Sequence, residues 1–462
     1  MFIQQLYTNC LAQAAYYIED SGEAVIIDPL RDVDQYVDLL DSTKAKLKFI
    51  FETHFHADFV SGHLDLAKRT GATIVFGPDA KPEYDAYVAK DGEKFKVGNC
   101  TIELLHTPGH TIESSCFLLY DEKNEQHAIF TGDTVFVGDV GRPDLLSGNL
   151  SKEVLAGMLY DSIQHKIIPL KDDIVLYPGH GAGSACGRNL SKDTYSTIGA
   201  QKKFNYALQP MSKDKFINAV TIDQPLPPAY FFSDAAINKK GYTPIENIVN
   251  NEMHLLHAND IKAEIDKGIM VLDVRTPEVF AAKHVKSSFN IGLDGTFAVW
   301  AGTILPVSTK LILICPFHKA HETITRLARV GFENIVGYWD RDIEELEHIG
   351  VPMQSIATVD PHPLEVKMES EKLNIIDVRN LGEFEKEHLR NSKAFPLNNI
   401  TKWINELNKN EKYYLVCAGG YRSMIASSYL QKNGFNNIVN VNGGMALLRT
   451  AMPQLIEVTE LI

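Results

Sequence analysis

Short apolar runs alternate with polar breaks along the first two hundred residues. Residues 14–18 and 23–28 read as two strands of a hairpin across Asp20-Ser21-Gly22, the second ending in Asp28. Residues 33–40 have helical spacing. The apolar run 47–51 leads into Phe51-Glu52-Thr53-His54-Phe55-His56-Ala57-Asp58-Phe59-Val60-Ser61-Gly62-His63, and the amphipathic run 64–69 leads out. That pattern predicts strand, loop, helix. Further strands are expected at 72–76, 100–105, 115–119, 128–131 and 174–176. The last two run into Gly132-Asp133 and into Tyr177-Pro178-Gly179-His180-Gly181.

The pattern loosens over 204–248. Asp223-Gln224-Pro225-Leu226-Pro227-Pro228 predicts a rigid, extended stretch. Lys239-Lys240-Gly241-Tyr242-Thr243-Pro244 predicts a second joint. A domain boundary belongs here, with part of the stretch packing back on the first domain. Beyond it the chain repeats itself. Val271-Leu272-Asp273-Val274-Arg275 returns as Ile375-Ile376-Asp377-Val378-Arg379, and Phe280 and His284 return as Phe384 and His388, all at one offset of 104 residues. Each copy reaches an apolar strand (311–314, 413–416), then an amphipathic helix that closes in Gly-Phe (Gly331-Phe332, Gly434-Phe435). Alternating strands and helices of this kind build a parallel sheet. The expected domains are 1–240, 253–355 and 357–460.

Length and composition bound these readings. A chain of 462 residues holds roughly two to four domains. A hydrophobic share of 45% is ordinary for a globular protein, and no apolar run approaches the ~20 residues of a membrane span. The N-terminus lacks a basic region and meets Glu19-Asp20 early, so no signal peptide is expected. The net charge of -14 argues against nucleic acid or an anionic membrane as partner. Six dispersed cysteines without a Cys-x-x-Cys pair suggest reduced thiols and a cytoplasmic setting.

The candidate chemistry lies where strands end in glycine and a possible ligand. In chain order these are Asp28, His54/His56/Asp58, His110, Asp133 and His180. Imidazoles with a carboxylate suit zinc, iron, copper or nickel. The series resembles the motif set of the metallo-β-lactamase superfamily over roughly residues 1–240. The resemblance implies an αββα sandwich with the metal at one edge of its two sheets. Many zinc hydrolases of that superfamily carry histidine where Phe59 stands here. Phenylalanine cannot ligate, so a mononuclear centre is expected.

Thr107-Pro108-Gly109-His110-Thr111, the stretch 132–145 and the stretch 177–187 resemble the persulfide dioxygenases. That resemblance implies one Fe(II) per chain, held by His54, His110 and Asp133, with His56, Asp58 and His180 orienting ligands or waters around it. Two histidines and one carboxylate leave positions open for substrate and O2. Arg142 is either a holder of an anionic substrate or a surface residue paired with Asp144. Cys186, in a glycine-rich loop after His180, either faces the pocket or fills the core. Cys10, Cys100 and Cys116 are expected in the core, and His63 and His106 are left without a role.

The second repeat carries Cys417-Ala418-Gly419-Gly420-Tyr421-Arg422-Ser423 ahead of a helix. Loop amides and a helix N-terminus around a cysteine stabilise thiolate. Gly419 and Gly420 permit the turn, and Arg422 offers a cation to an anionic substrate. Both copies resemble the rhodanese domain, and this loop is of the active type. The first copy reads Cys315-Pro316-Phe317-His318-Lys319-Ala320-His321 instead. An ungapped count back from the Gly-Phe markers aligns Cys315 with Ala418, so this copy is expected to be catalytically silent.

The resemblances together imply α/β domains joined in one enzyme. It would oxidise a low-molecular-weight persulfide with O2 to sulfite, and would use Cys417 as a sulfur carrier to give thiosulfate. Glutathione, coenzyme A, bacillithiol and cysteine persulfides all fit as substrate, and a homo-oligomer is compatible with the sequence. The rival is a zinc-dependent glyoxalase II-type thioester hydrolase fused to a sulfurtransferase. A sulfur carrier or regulator without turnover is a third reading.

Overall fold

A computed structural model describes every residue except 146–149, 223, 225, 253 and 459–462. The extended stretch expected at 223–228 therefore falls partly outside the described residues. So do 253 and 459–460, at the ends of the two expected repeat domains. The chain divides into two compact units: Met1–Ile248 with Ala328–Gly331, and Val249–Leu327 with Phe332–Ile462.

The first unit opens with strands β1 (Phe2–Thr8), β2 (Gln13–Asp20) and β3 (Glu23–Ile27) and helix α1 (Asp34–Thr43). Then come β4 (Lys46–Phe51), α2 (His63–Thr70), β5 (Thr73–Phe76) and β6 (Tyr87–Val88). These six strands form one sheet in chain order, antiparallel over β1–β3 and parallel over β3–β6. The second sheet contains β7 (Lys94–Val97), β8 (Cys100–His106), β9 (Ser115–Tyr120) and β10 (Gln126–Gly132). Helix α3 (Lys152–Ser162) precedes β11 (Val175–Pro178) and β12 (Ser196–Thr197). Helices α4 (Ile198–Phe204), α5 (Lys213–Thr221) and α6 (Phe231–Lys240) follow.

Side-chain alternation explains the layers. On β2, Tyr16 and Ile18 enter the layer between the two sheets, with Phe51, Phe117 and Phe130. Ala15 and Tyr17 point the other way, toward Tyr36 and Leu40 of α1 and Leu66 of α2. Both faces of β2 and β3 are buried, so their sequences read as unbroken apolar runs rather than as alternation. The outer face of the second sheet, including Leu118, Ile129 and Leu176, is covered by Leu159 of α3 and Phe216 of α5. The order is helices, sheet, sheet, helices.

The second unit holds two parallel sheets, one per repeat. In the first copy the order is Phe289–Asn290, Met270–Asp273, Leu311–Ile314, Ile335–Trp339. In the second it is Ala357–Val359, Ile438–Val441, Tyr413–Val416, Asn374–Asp377, Ser392–Ala394. The repeated residues serve the fold. Arg275 and Arg379 each clamp the aspartate two positions earlier and donate to the carbonyls of Lys283 and Glu387. His284 stacks on Phe280 at 3.8 Å, and His388 on Phe384 at 4.1 Å.

Candidate metal centre and sulfur-transfer loop

Every residue of the ligand series sits just beyond the C-terminal end of a strand of the first unit. β4 gives the loop of His54, His56 and Asp58, β8 leads to His110, β10 to Asp133 and β11 to His180. The two sheet edges are tied there: Ser115 N–H donates to the Thr53 carbonyl at 2.9 Å, and Ala14 N–H to the Gly179 carbonyl at 2.9 Å. Gly132 has φ +48, and a Cβ there would meet Thr53 at 2.6 Å, so glycine is required where the edges meet.

Three imidazoles are held in one tautomer. His110 Nδ1–H donates to the Arg142 carbonyl at 2.9 Å, and His180 Nδ1–H to the Ala12 carbonyl at 3.2 Å. Thr53 Oγ1 gives its single proton to Asp28 Oδ2 at 2.9 Å and accepts from His54 Nδ1–H at 2.9 Å. All three Nε2 lone pairs are left to face the site. Asp133 lies between them. Its Oδ2 is 3.4 Å from His110 Nε2 and 4.0 Å from His54 Nε2, and its Oδ1 is 3.5 Å from His180 Nε2. Both carboxylate oxygens are buried without a hydrogen-bond partner, as are Asp58 Oδ1 and His180 Nε2. Orphaned buried acceptors facing imidazole lone pairs fit a cation. Burial and the neighbouring rings hold His54 well below the usual imidazole range, in the neutral form that ligates.

Among the described residues, four groups converge closely enough to share an ion: His54/His110/Asp133, His56/Asp58/His180, Asp133/His180/Cys186 and Asp28/Glu52/His56. His56 differs from its neighbours. Burial lowers its proton affinity, but Asp28 Oδ1, 3.1 Å from Nε2, and Glu52 raise it to about 9. Phe59 is fully buried, its ring 4.3 Å from that of His56. Cys186 does face the site. Burial, then Asp58 and Asp133, push its thiol well up.

The sulfur-transfer loop follows the strand Tyr413–Val416. Cys417 is buried, and Gly420 N–H donates to its Sγ at 3.1 Å. Only Gly420 of the two glycines has a positive φ, +96; a Cβ on Gly419 would meet nothing within 4 Å. Ser423 Oγ donates to the Gly420 carbonyl at 3.1 Å and closes the turn. The helix Tyr421–Lys432 then packs on the first copy. Tyr421 Oη donates to the Gly292 carbonyl at 2.8 Å, Ser428 Oγ accepts from Asn290 N–H at 3.0 Å, and Gln431 meets His284 Nε2 at 2.9 Å.

Family comparisons agree with this geometry. A model described as Metallo-beta-lactamase superfamily matches residues 8–180, and one described as Rhodanese-like domain matches 257–348 and 360–450. A metallo-beta-lactamase structure from Staphylococcus aureus is 33% identical with TM-score 0.65, covering 74% of this chain and 99% of that one. The chain belongs to the metallo-beta-lactamase superfamily. Two rhodanese-like domains follow its metallo-beta-lactamase domain. Hydroxyacylglutathione hydrolase GloC from Haemophilus influenzae is 29% identical over 216 residues, 42% of this chain and 91% of that protein. ETHE1 from Myxococcus xanthus is 29% identical with TM-score 0.45, covering 52% of this chain and 98% of that one. No helix among the described residues is long and apolar enough to cross a membrane.

The structure corrects several expectations. Arg142 is neither exposed nor open to an anion. It is 2% exposed, and Nε and Nη2 grip Asp144 at 2.7 and 2.9 Å. Its carbonyl, not its charge, serves the site, by holding His110. Arg422 is likewise committed, with Nη1 and Nη2 on Glu383 at 2.6 and 2.8 Å. Cys10 is only half-buried, so it is not a core residue. Cys315 stands at the place of Cys417, not of Ala418. Ile314 pairs with Asp273 as Val416 pairs with Asp377, so each cysteine directly follows the equivalent strand residue. The ungapped count failed because the first copy is one residue shorter between that cysteine and its Gly-Phe marker. Burial pushes the Cys315 thiol up to about 12.

Other residues of the metallo-beta-lactamase domain carried no sequence signal. Asn238 of α6, from the stretch 204–248 where the sequence pattern loosens, accepts from Ser61 N–H at 2.8 Å. Its Nδ2 donates to the carbonyls of His56 at 2.8 Å and Phe59 at 2.7 Å. Glu52 accepts from Ser61 Oγ and lies 3.4 Å from His63 Nδ1, which places His63 in the support of the loop. Glu383 was legible only as the fourth residue of Asn380-x-x-Glu383, a capping box that the structure forms.

Proposed function

We propose that the protein is a persulfide dioxygenase coupled to rhodanese sulfur transfer. His54, His110 and Asp133 would hold one Fe(II), which, when bound, supplies open positions where a persulfide sulfur and O2 meet. The observation that carries this reading is the set of two Nε2 lone pairs and one carboxylate beside a buried Phe59, where a further ligand is missing. Thr53 and the Arg142 carbonyl fix the two histidine rings, and Asp28 holds Thr53. His56, Asp58 and His180 would orient bound water or substrate. The balanced overall reaction is persulfide, O2 and water giving thiol, sulfite and two protons.

Cys417 would carry sulfane sulfur for the second half. Its thiolate attacks the outer sulfur of R–S–SH, the S–S bond breaks, and R–S⁻ leaves. Sulfite then attacks the outer sulfur of the enzyme persulfide, and thiosulfate and the thiolate form with loss of one proton. The Gly420 amide donates to Cys417 Sγ and the helix N-terminus lies beside it, where both can stabilise the negative charge that returns to that sulfur when thiosulfate departs. Fusion in one chain raises the effective concentration of one activity near the other.

A second reading is a zinc thioester hydrolase. It is supported by the His56/Asp58/His180 group, which shares Asp133 through its other oxygen, and by the similarity to hydroxyacylglutathione hydrolase GloC. Metal analysis of anaerobically purified protein with oxygen-uptake assays separates the two. About one iron per chain and persulfide-dependent oxygen uptake are expected, the stoichiometry of one three-ligand site. Two tightly bound zinc ions and no oxygen uptake would establish the hydrolase.

A further inference from the structure

Comparing the two rhodanese-like copies separates residues that serve the fold from residues that serve the loop. The Asp273–Arg275 and Asp377–Arg379 pairs occur in both. The Glu383–Arg422 pair occurs in one. The repeat offset places Val279 opposite Glu383, and the shared strand register places Ala320 opposite Arg422. Both partners are replaced together, in the copy whose loop has lost Gly-x-Arg-Ser. The first copy builds the same order of four parallel strands without the pair, so that arrangement does not require it.

The charges around Cys417 follow. The thiolate is −1, Arg422 is +1 and interacts with it electrostatically, and Glu383 is −1. The loop therefore presents one net negative charge to an arriving donor. Thiosulfate is a dianion, whereas the sulfane end of an organic persulfide carries at most one charge. Leu381, two residues before Glu383, stands exposed, as does Leu447, which packs against Gly443 beside the loop.

We propose that Glu383 is a specificity-determining residue of the Cys417 site: it cancels the Arg422 charge, disfavours thiosulfate as a sulfur donor and leaves organic persulfides as the preferred donors. This rests on the sulfur-transfer reading above. Loading from thiosulfate would break its S–S bond and release sulfite, the reverse of the productive step. Because the two directions share one transition state, the same carboxylate slows sulfite attack on the enzyme persulfide and reloading by thiosulfate alike, and its selectivity acts on the choice of donor.

The test is the rate of Cys417 persulfidation, followed by mass spectrometry of the full chain under anaerobic conditions, with thiosulfate and with glutathione persulfide. Glu383→Gln keeps the side-chain shape and its capping role while removing the charge. The thiosulfate-to-persulfide ratio of rate constants should rise on the order of tenfold, because removing one negative charge relieves the repulsion of a dianion more than that of a donor whose sulfane end carries one charge or none. The acceleration of thiosulfate loading by added salt should shrink in the same variant. Glu383→Asp, which keeps the charge, should keep the wild-type ratio. A ratio within twofold of wild type in a Gln variant with unchanged melting overturns the inference, as does an Asp variant that matches Gln. Wild-type protein that loads from neither donor overturns the sulfur-transfer reading itself.

Discussion

Replacing Asn238 with alanine tests whether the ligand loop is held from outside by α6. The side chain is 2% exposed and satisfies three backbone groups of one turn: the carbonyls of His56 and Phe59 and the N–H of Ser61. Each buried group left unpaired costs about 1–3 kcal/mol, and partial relaxation brings the sum to roughly 4 kcal/mol. Loss of that much local stability should speed amide exchange in the segment containing Ser61 by roughly a thousandfold, at about 1.4 kcal/mol per decade. Hydrogen exchange read by mass spectrometry on the metal-loaded protein gives the number directly. Metal content should fall in the same variant, because Asp58 lies within the clamped turn and His54 just before it. Asn238→Asp keeps the acceptor for Ser61 but turns lone pairs toward two carbonyls, so it should be at least as damaging. Less than tenfold faster exchange in Asn238→Ala with full metal content, or a tolerated Asp, would refute the clamp.

Asp133→Asn should reduce metal content several-fold and abolish oxygen uptake, since both carboxylate oxygens face imidazole nitrogens; metal retained at wild-type stoichiometry would rule out the proposed ligand set. Cys417→Ser should keep oxygen uptake but release sulfite in place of thiosulfate, and wild-type thiosulfate rates in that variant, after subtracting the nonenzymatic reaction, would remove Cys417 from the pathway. Cys315→Ser should leave thiosulfate formation unchanged. With its thiol pushed up to about 12, only about one Cys315 in ten thousand is thiolate at pH 8, so iodoacetamide should leave it unlabelled in the native protein. Rapid labelling would show that the first copy holds a reactive thiol.

The alternation of apolar runs was enough to place ten elements of the first domain, because β2–β5, β8–β11, α1 and α2 each carry their own local pattern. The ligand series was legible for the same reason: each member follows a strand, and its glycine marks the turn. The repeat was legible because its aspartate, arginine, phenylalanine and histidine are needed by both copies to close the same local turn. What escaped was long-range pairing. Asn238 reaches His56 across 182 residues, and the side chain itself says nothing of where it will dock. Arg422 was expected to be a cation open to a substrate and Arg142 either that or a surface residue paired with Asp144; only packing set Glu383 against Arg422 and buried the Arg142–Asp144 pair. The place of Cys315 was misjudged because sequence counting cannot see a shortened loop, whereas backbone hydrogen bonding between strands fixes register residue by residue. The sequence by itself determined which residues could do chemistry. The tertiary structure decided which of their charges and lone pairs remain available, because each buried polar group must find a partner and partners come from anywhere in the chain.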